Sequence, residues 1–167
     1  TIVSRWIKAL FPGETANAML DSAVARARRT LQLTATMSIE AAVDGGGVSA
    51  LVTVTNETGH KLPSGYPEGR RIWINLKAYN GANELIYESG AYDAASGVLT
   101  HDPDVKIYEI KPGISLGLAD IVGFPAGPSF HFVLNDTVYS DNRIPPRGAT
   151  NAELTQIQSP VVNHSYS

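Results

Sequence analysis

The spacing of hydrophobic positions along this chain switches period near residue 33, and the switch divides it into a helical start and a β-rich remainder. Over residues 14–32 (ETANAMLDSAVARARRTLQ) Met19, Ala23, Ala27 and Leu31 recur every fourth position with Leu20 and Val24 beside them, the spacing of a helix with one apolar stripe. Glu14 or Thr15 is placed to cap its start after the Pro12-Gly13 break. Arg26, Arg28 and Arg29 lie toward its C-terminal end, where positive charge complements the helix dipole. The period then drops to two: Leu33, Ala35, Met37, Ile39 and Ala41 alternate with Thr34, Thr36, Ser38 and Glu40, which puts the apolar set on one face of a strand. A turn at DGGG (residues 44–47) and renewed alternation over 48–55 (VSALVTVT) predict a hairpin across 33–55.

Alternation returns in RIWINLKAY (71–79), where Ile72, Ile74, Leu76 and Ala78 oppose Trp73, Asn75 and Lys77. Asn80-Gly81 then turns the chain into ELIYES (84–89), a second hairpin. Shorter strands are expected at 105–110, 130–135 and 137–140, separated by Pro103, a Lys111-Pro112-Gly113 turn and the Pro125 to Pro128 stretch. Many short strands after one helix predict a mainly β fold, an antiparallel β-sandwich of immunoglobulin-like type with one N-terminal α-helix. Residues 1–32 form the helical segment, 33–150 the sandwich, and 151–167 a polar, proline-containing tail that wraps the surface or frays.

At 167 residues, 43% hydrophobic and 17% charged, the chain has the composition of a folded domain with one well-buried core. A net charge of −3 gives no general attraction to nucleic acid or to an anionic membrane, and no apolar run approaches the roughly 20 residues a membrane-spanning helix needs. With no cysteine, the chain has no disulfide, thiolate metal site, iron–sulfur cluster or covalently attached c-type haem. The first residues, TIVSRWIKALFPG, lack the pattern of a signal peptide, and a start at Thr1 without methionine suggests a processed protein or an excised piece.

The densest candidate site is residues 56–73, NETGHKLPSGYPEGRRIW, a polar loop between strands. Gly59, Pro63, Gly65 and Pro67 restrict its backbone around His60, an imidazole able to ligate a metal or haem or simply to bond loop carbonyls. Arg70 and Arg71 suit bidentate carboxylate contacts, with Glu68, Glu88, Asp93 or Glu109 as internal partners. The four histidines, at 60, 101, 131 and 164, show no paired ligand spacing, so the sequence defines no metal site. HDPDVKIYE (101–109) lacks the glycine and distal glutamate of an EF-hand and reads as a solvated loop, and no GxSxG nucleophile elbow occurs. No catalytic residue is assigned.

Taken together, TGHKLPSGYPEGRRIWINLKAYN, ESGAYDAASGVL, HDPDVKIYE and FHFVLNDTVYSDNRIPPRG resemble the C-terminal, haem-free β-domain attached to certain bacterial multihaem c-type cytochromes, over roughly residues 15–150. The resemblance implies a parent protein whose upstream, haem-bearing region of the same polypeptide carries CxxCH motifs and is matured in the periplasm or outside the cell. Residues 1–32 would link to that missing region. It further implies a non-catalytic role in packing, docking or oligomerisation within an electron-transfer protein, no cofactor in this chain itself, and His60 as a distal haem ligand in the full-length protein. An exposed helix stripe would favour a homodimer. The competing reading is a carbohydrate- or peptide-binding module using Trp73, Tyr66, Tyr79 and Tyr92. Trp73 exposed beside Tyr66 would favour it, and Trp73 buried would favour a scaffold.

Overall fold

The computed structural model describes residues 2–11, 13 and 17–156; the proposed caps Glu14 and Thr15, and the tail beyond residue 156 with His164, lie outside the described residues. The fold is mainly β, and every strand pair among the described residues is antiparallel. Two compact units meet in sequence at Gly59 and His60, so the first hairpin belongs with the N-terminal helices and not with the later strands.

The N-terminal unit contains α1 (Ile2–Leu10), α2 (Asn17–Gln32) and the hairpin β1 (Ala35–Asp44) and β2 (Gly47–Asn56). The helical spacing of 17–32 forms α2 as expected, with α1 an additional helix packed against it and joined to it by Lys8 to Asp21 at 2.5 Å. The expected apolar stripe of α2 is only partly used: Leu20 and Val24 are half-buried, while Met19 and Leu31 remain 72% and 71% exposed. The hairpin runs in unbroken register from Ala35 opposite Asn56 to Asp44 opposite Gly47. Glu57 N–H donates to the Thr34 carbonyl at 2.8 Å and extends the ladder one step further.

The C-terminal unit is organised by β8 (Ile107–Ile114). Preceding it are β3 (Arg71–Trp73), β4 (Leu76–Tyr79), β5 (Leu85–Ser89), β6 (Tyr92–Asp93) and β7 (Val98–Leu99); following it are α3 (Leu116–Val122), β9 (Gly127–Pro128), β10 (Thr137–Asp141) and α4 (Asn151–Gln156). β8 pairs with β3 through Ile107–Glu109 and with β10 on its other edge. Gly113 faces both Thr137 and Pro128, so β9 takes the β3 edge of β8 beyond the point where β3 ends. Among the described residues, Leu62, Pro63, Leu99, Ile110 and Ile114 are buried apolar side chains of this unit, and Ile110 and Ile114 stand on β8.

Three readings are corrected here. Residues 71–79 are not one strand: the chain breaks at Ile74 and Asn75, β3 joins β8, and only β4 pairs with β5. Asn75 enforces the break, since its side-chain amide donates to the Ser89 and Gly90 carbonyls at 3.0 and 3.1 Å. Residues 130–135 are a turn, with Leu134 and Asn135 N–H donating to the His131 carbonyl and the Ser129 hydroxyl accepting from His131 N–H at 3.0 Å. Local side-chain bonding thus outcompetes a strand-like pattern. Lys111, Pro112 and Gly113 do not turn but lie inside β8. A register shift in β10 between Val138 and Ser140 accommodates Pro112, which has no N–H to donate. The start of the tail is helical, in α4, capped by Thr150, whose hydroxyl accepts from Glu153 N–H at 3.3 Å.

Candidate functional site

The loop after β2 crosses from one unit into the other, and its chemistry resides in the part from His60 onward. Lys61 and Leu62 are tied to residues eighty positions away. The Lys61 ammonium donates to Asp141 Oδ2 at 3.1 Å, and Leu62 exchanges two backbone bonds with Ile144, each 2.8 Å. Leu62 is joined to Pro63 by a cis peptide bond, and both are buried. Arg143 completes the cluster from the other side, its Nε and Nη2 each 2.9 Å from the Asp141 carboxylate in a two-pronged grip. The Asp141 side chain is fully enclosed, with Lys61 and Arg143 at 8% and 11% exposure. Burial pushes the Asp141 carboxyl upward, but the bonds from Arg143 and Lys61 and the Arg143 charge outweigh it and hold the group below the usual carboxylate range.

The neighbouring Asn142 fastens the same segment to β8: its carbonyl oxygen accepts from Glu109 N–H and its amide donates to the Ile107 carbonyl, both at 2.8 Å. NRIPPRG is therefore read residue by residue as a fastening, Asn142 to β8, Arg143 to Asp141 and Ile144 to Leu62.

The arginines do not meet the acids expected for them. Arg70 Nη1 donates to the Ser64 carbonyl at 3.0 Å and lies over Gly65, whose φ of 84° and lack of a Cβ permit that approach. Arg71 stands opposite Glu109 in register but turns its guanidinium to His101, 3.5 Å away. Glu68 Oε2 is enclosed without a hydrogen-bond partner among the described residues. Gly59 is exposed and has open space where a Cβ would sit, so it imposes no constraint on His60, which is itself exposed.

Trp73 is half-buried, its indole N–H donating to the Gly90 carbonyl at 3.2 Å and its ring 5.2 Å from that of Tyr92. Tyr66 is edge-on to Phe132, with ring centroids 5.7 Å apart. Of the four candidate aromatics, Trp73 and Tyr92 thus pair with each other while Tyr66 pairs with Phe132. Trp73→Phe is expected to cost about 1 kcal/mol through the lost indole hydrogen bond, read as a shift in urea midpoint with an unchanged slope.

The acidic loop stays largely exposed, as expected, but Asp102 also has a structural role. Asp102 accepts from the Ser89 hydroxyl at 2.8 Å, from Gly90 N–H at 2.7 Å and from Asp104 N–H at 3.0 Å. These bonds, the Gly90 amide foremost, hold its carboxyl below its ordinary range, as the Ser115 hydroxyl does for Asp136 and the Ser96 hydroxyl for Asp93. The sign follows directly: as pH falls the unfolded chain takes up protons before the folded one does. Stability from these groups is present above about pH 4 and is lost progressively below it. Urea midpoints are expected to be flat between pH 5 and 7 and to fall steeply below about pH 4, and Asp102→Asn should flatten that fall.

Among the described residues no group of three or more His, Cys, Asp or Glu side chains is arranged to hold a metal. No described helix is long and apolar enough to cross a membrane. His101 is engaged with Arg71, and His131 packs edge-on against Phe124 at 5.2 Å, so these two histidines sit in separate local contacts. Sequence reasoning missed Lys61, Asp141 and Arg143 as a unit. The signal available was a lysine set directly before a buried Leu-Pro pair, a context in which an ammonium needs a carboxylate. Compared with known families, curated proteins and solved structures, the chain matches none.

Proposed function

We propose that this chain is a non-catalytic accessory domain of a multihaem c-type cytochrome, exported to the periplasm or beyond, whose role is packing and docking beside the haem-bearing region of the same polypeptide. One observation carries the reading most. Two of the three motifs whose combination makes the resemblance specific, GHKLPSG and NRIPPRG, are distant in sequence and fastened to each other through Lys61, Asp141, Arg143 and the Leu62–Ile144 bridge. Such residues make a fold, and a fold shared with the cytochrome-attached domains would need both motifs together. The half-burial of Trp73, with its indole N–H committed to the Gly90 carbonyl, supports a scaffold over a carbohydrate or peptide platform.

The parent gene decides the assignment. Several CxxCH motifs upstream in the same reading frame are the expected result, and an upstream sequence without them overturns it. On the same reading His60, exposed at the start of the C-terminal unit, is the side chain to offer a haem as distal ligand. His60→Ala in the full-length protein should convert one haem from low to high spin in its absorption and electron paramagnetic resonance spectra. Spectra identical to wild type would remove His60 from that role.

A further inference from the structure

The loop that turns β4 into β5 holds the side chain of Asn80 in a defined way. Its amide oxygen accepts from Ala82 N–H and from Glu84 N–H, each at 2.9 Å, and its amide nitrogen donates to Glu84 Oε2 at 2.7 Å. The main chain around it is bonded too, Asn80 N–H to the Glu84 carbonyl at 3.0 Å and Asn83 N–H to the Asn80 carbonyl at 2.9 Å. Gly81 is the exception. Its N–H makes no hydrogen bond among the described residues, and open space surrounds the position where a Cβ would sit. Both Asn80 and Gly81 are exposed to water.

These groups are the parts of an intramolecular acyl transfer. The Gly81 nitrogen closes a five-membered ring when it attacks Asn80 Cγ, so the chain itself delivers the two reactants to each other. The two N–H groups aimed at Asn80 Oδ1 draw electron density from Cγ and stand where negative charge develops as Cγ becomes tetrahedral. A side chain on residue 81 would crowd the attacking nitrogen, and glycine has none. Every other asparagine precedes a residue that carries a side chain. We propose that Asn80 is a self-modifying site that converts in the folded protein. The Gly81 nitrogen gives up its proton and bonds to Cγ; the Cγ–Nδ2 bond breaks, and Nδ2 leaves as ammonia with that proton. Water then opens the resulting succinimide. Opening at Cγ leaves aspartate, and opening at the main-chain carbonyl reroutes the backbone through Cβ and Cγ as isoaspartate. The net change is one water taken up and one ammonia released, with no oxidant or reductant.

The conversion undoes the clasp of the loop. Where Nδ2 donated to Glu84, a carboxylate oxygen faces the Glu84 carboxylate, and like charges so close repel. Isoaspartate also lengthens the main chain beside the Tyr79–Leu85 pair, which already follows a register shift. The outer end of the β4–β5 hairpin is thus released in one direction only, as by a timer. The inference stands independently of the cytochrome assignment.

Peptide mass mapping and an isoaspartate assay test it, on the whole chain incubated at neutral to mildly alkaline pH, folded and in urea. In the folded chain, exchange of an NH for an oxygen is expected at Asn80 and not at the other asparagines. Both products should appear, faster at higher pH because the Gly81 nitrogen must lose its proton. Gly81→Ala meets no neighbouring atom and replaces a glycine outside the left-handed region, so it should keep the urea midpoint while slowing conversion at least about tenfold. Asn80→Asp should speed hydrogen exchange of the Asn83 and Glu84 amides, and unchanged exchange there refutes the timer. A folded chain whose Asn80 stays intact over the time in which the same chain converts in urea shows that the turn protects the amide, and overturns the proposal. So does conversion spread over the other asparagines, or an unchanged rate in Gly81→Ala. Should Gly81→Ala disturb the hairpin, the comparison of folded and urea-unfolded wild type still decides.

Discussion

Asp141→Ala is expected to destabilise the C-terminal unit by about 3–5 kcal/mol, a large fraction of what a domain of this size possesses. The carboxylate is fully enclosed and accepts from two cations that are themselves nearly buried. Removing it takes from a nearly buried ammonium and guanidinium the carboxylate that both donate to, and the cost is mainly that of this lost compensation, not the net worth of the original pairs. Asp141→Asn keeps the shape and one acceptor oxygen but removes the charge, so most of the loss should persist. Lys61→Met added to Asp141→Asn should recover part of it by removing one of the two cations that the carboxylate compensates. The measurement is urea unfolding followed by tryptophan fluorescence in a Trp6→Phe background, where Trp73 is the remaining tryptophan and reports on this unit. A loss under 1 kcal/mol for Asp141→Ala would mean that solvent reaches the cluster in the folded state.

Much of the fold was legible because it rests on local periodicity. The α2 spacing and the strict alternation of β1 and β2 survive into the structure unchanged, since each is fixed by the hydrogen bonding and side-chain geometry of a single element or hairpin. The failures cluster where a side chain captures the backbone. Asn75 splits one apparent strand by reaching for Ser89 and Gly90, Ser129 caps the turn at His131, and Pro112 survives within β8 because its neighbour strand is irregular there. The candidate loop was found, but its chemistry was misassigned for a related reason. Arg70 and Arg71 were matched to acids by charge, whereas Arg70 is taken by a main-chain carbonyl six residues back and Arg71 by a histidine thirty residues on. The charged pairing that does define the loop, Lys61 with Asp141, spans eighty residues and becomes visible only once β10 is in place.

Gly90→Ala should be nearly as damaging as loss of Asp141, and for a purely steric reason. Gly90 has a φ of 69°, a left-handed conformation that costs an L residue about 1–2 kcal/mol. A Cβ added there would collide with the Ile74 carbonyl oxygen, and would stand 3.1 Å from both Trp73 Cδ1 and Val105 Cγ2. The carbonyl belongs to the backbone at the break between β3 and β4, so it cannot rotate away as a side-chain tip would, and overpacking of this kind adds about 1–3 kcal/mol. Gly90 also joins three fastenings, receiving the indole N–H of Trp73 and the amide of Asn75 at its carbonyl and donating its own N–H to Asp102. A shift large enough to relieve the clash would stretch all three. The expected loss is therefore about 3 kcal/mol or more, accompanied by a red-shifted Trp73 emission as the indole loses its partner and its cover. Asp102→Asn provides the discriminating comparison: it weakens the third fastening without touching the steric fit. If Gly90→Ala costs no more than Asp102→Asn, the close approach of residues 74 and 90 is not a constraint on this fold, and the hydrogen bonds alone hold the β3–β4 break in place.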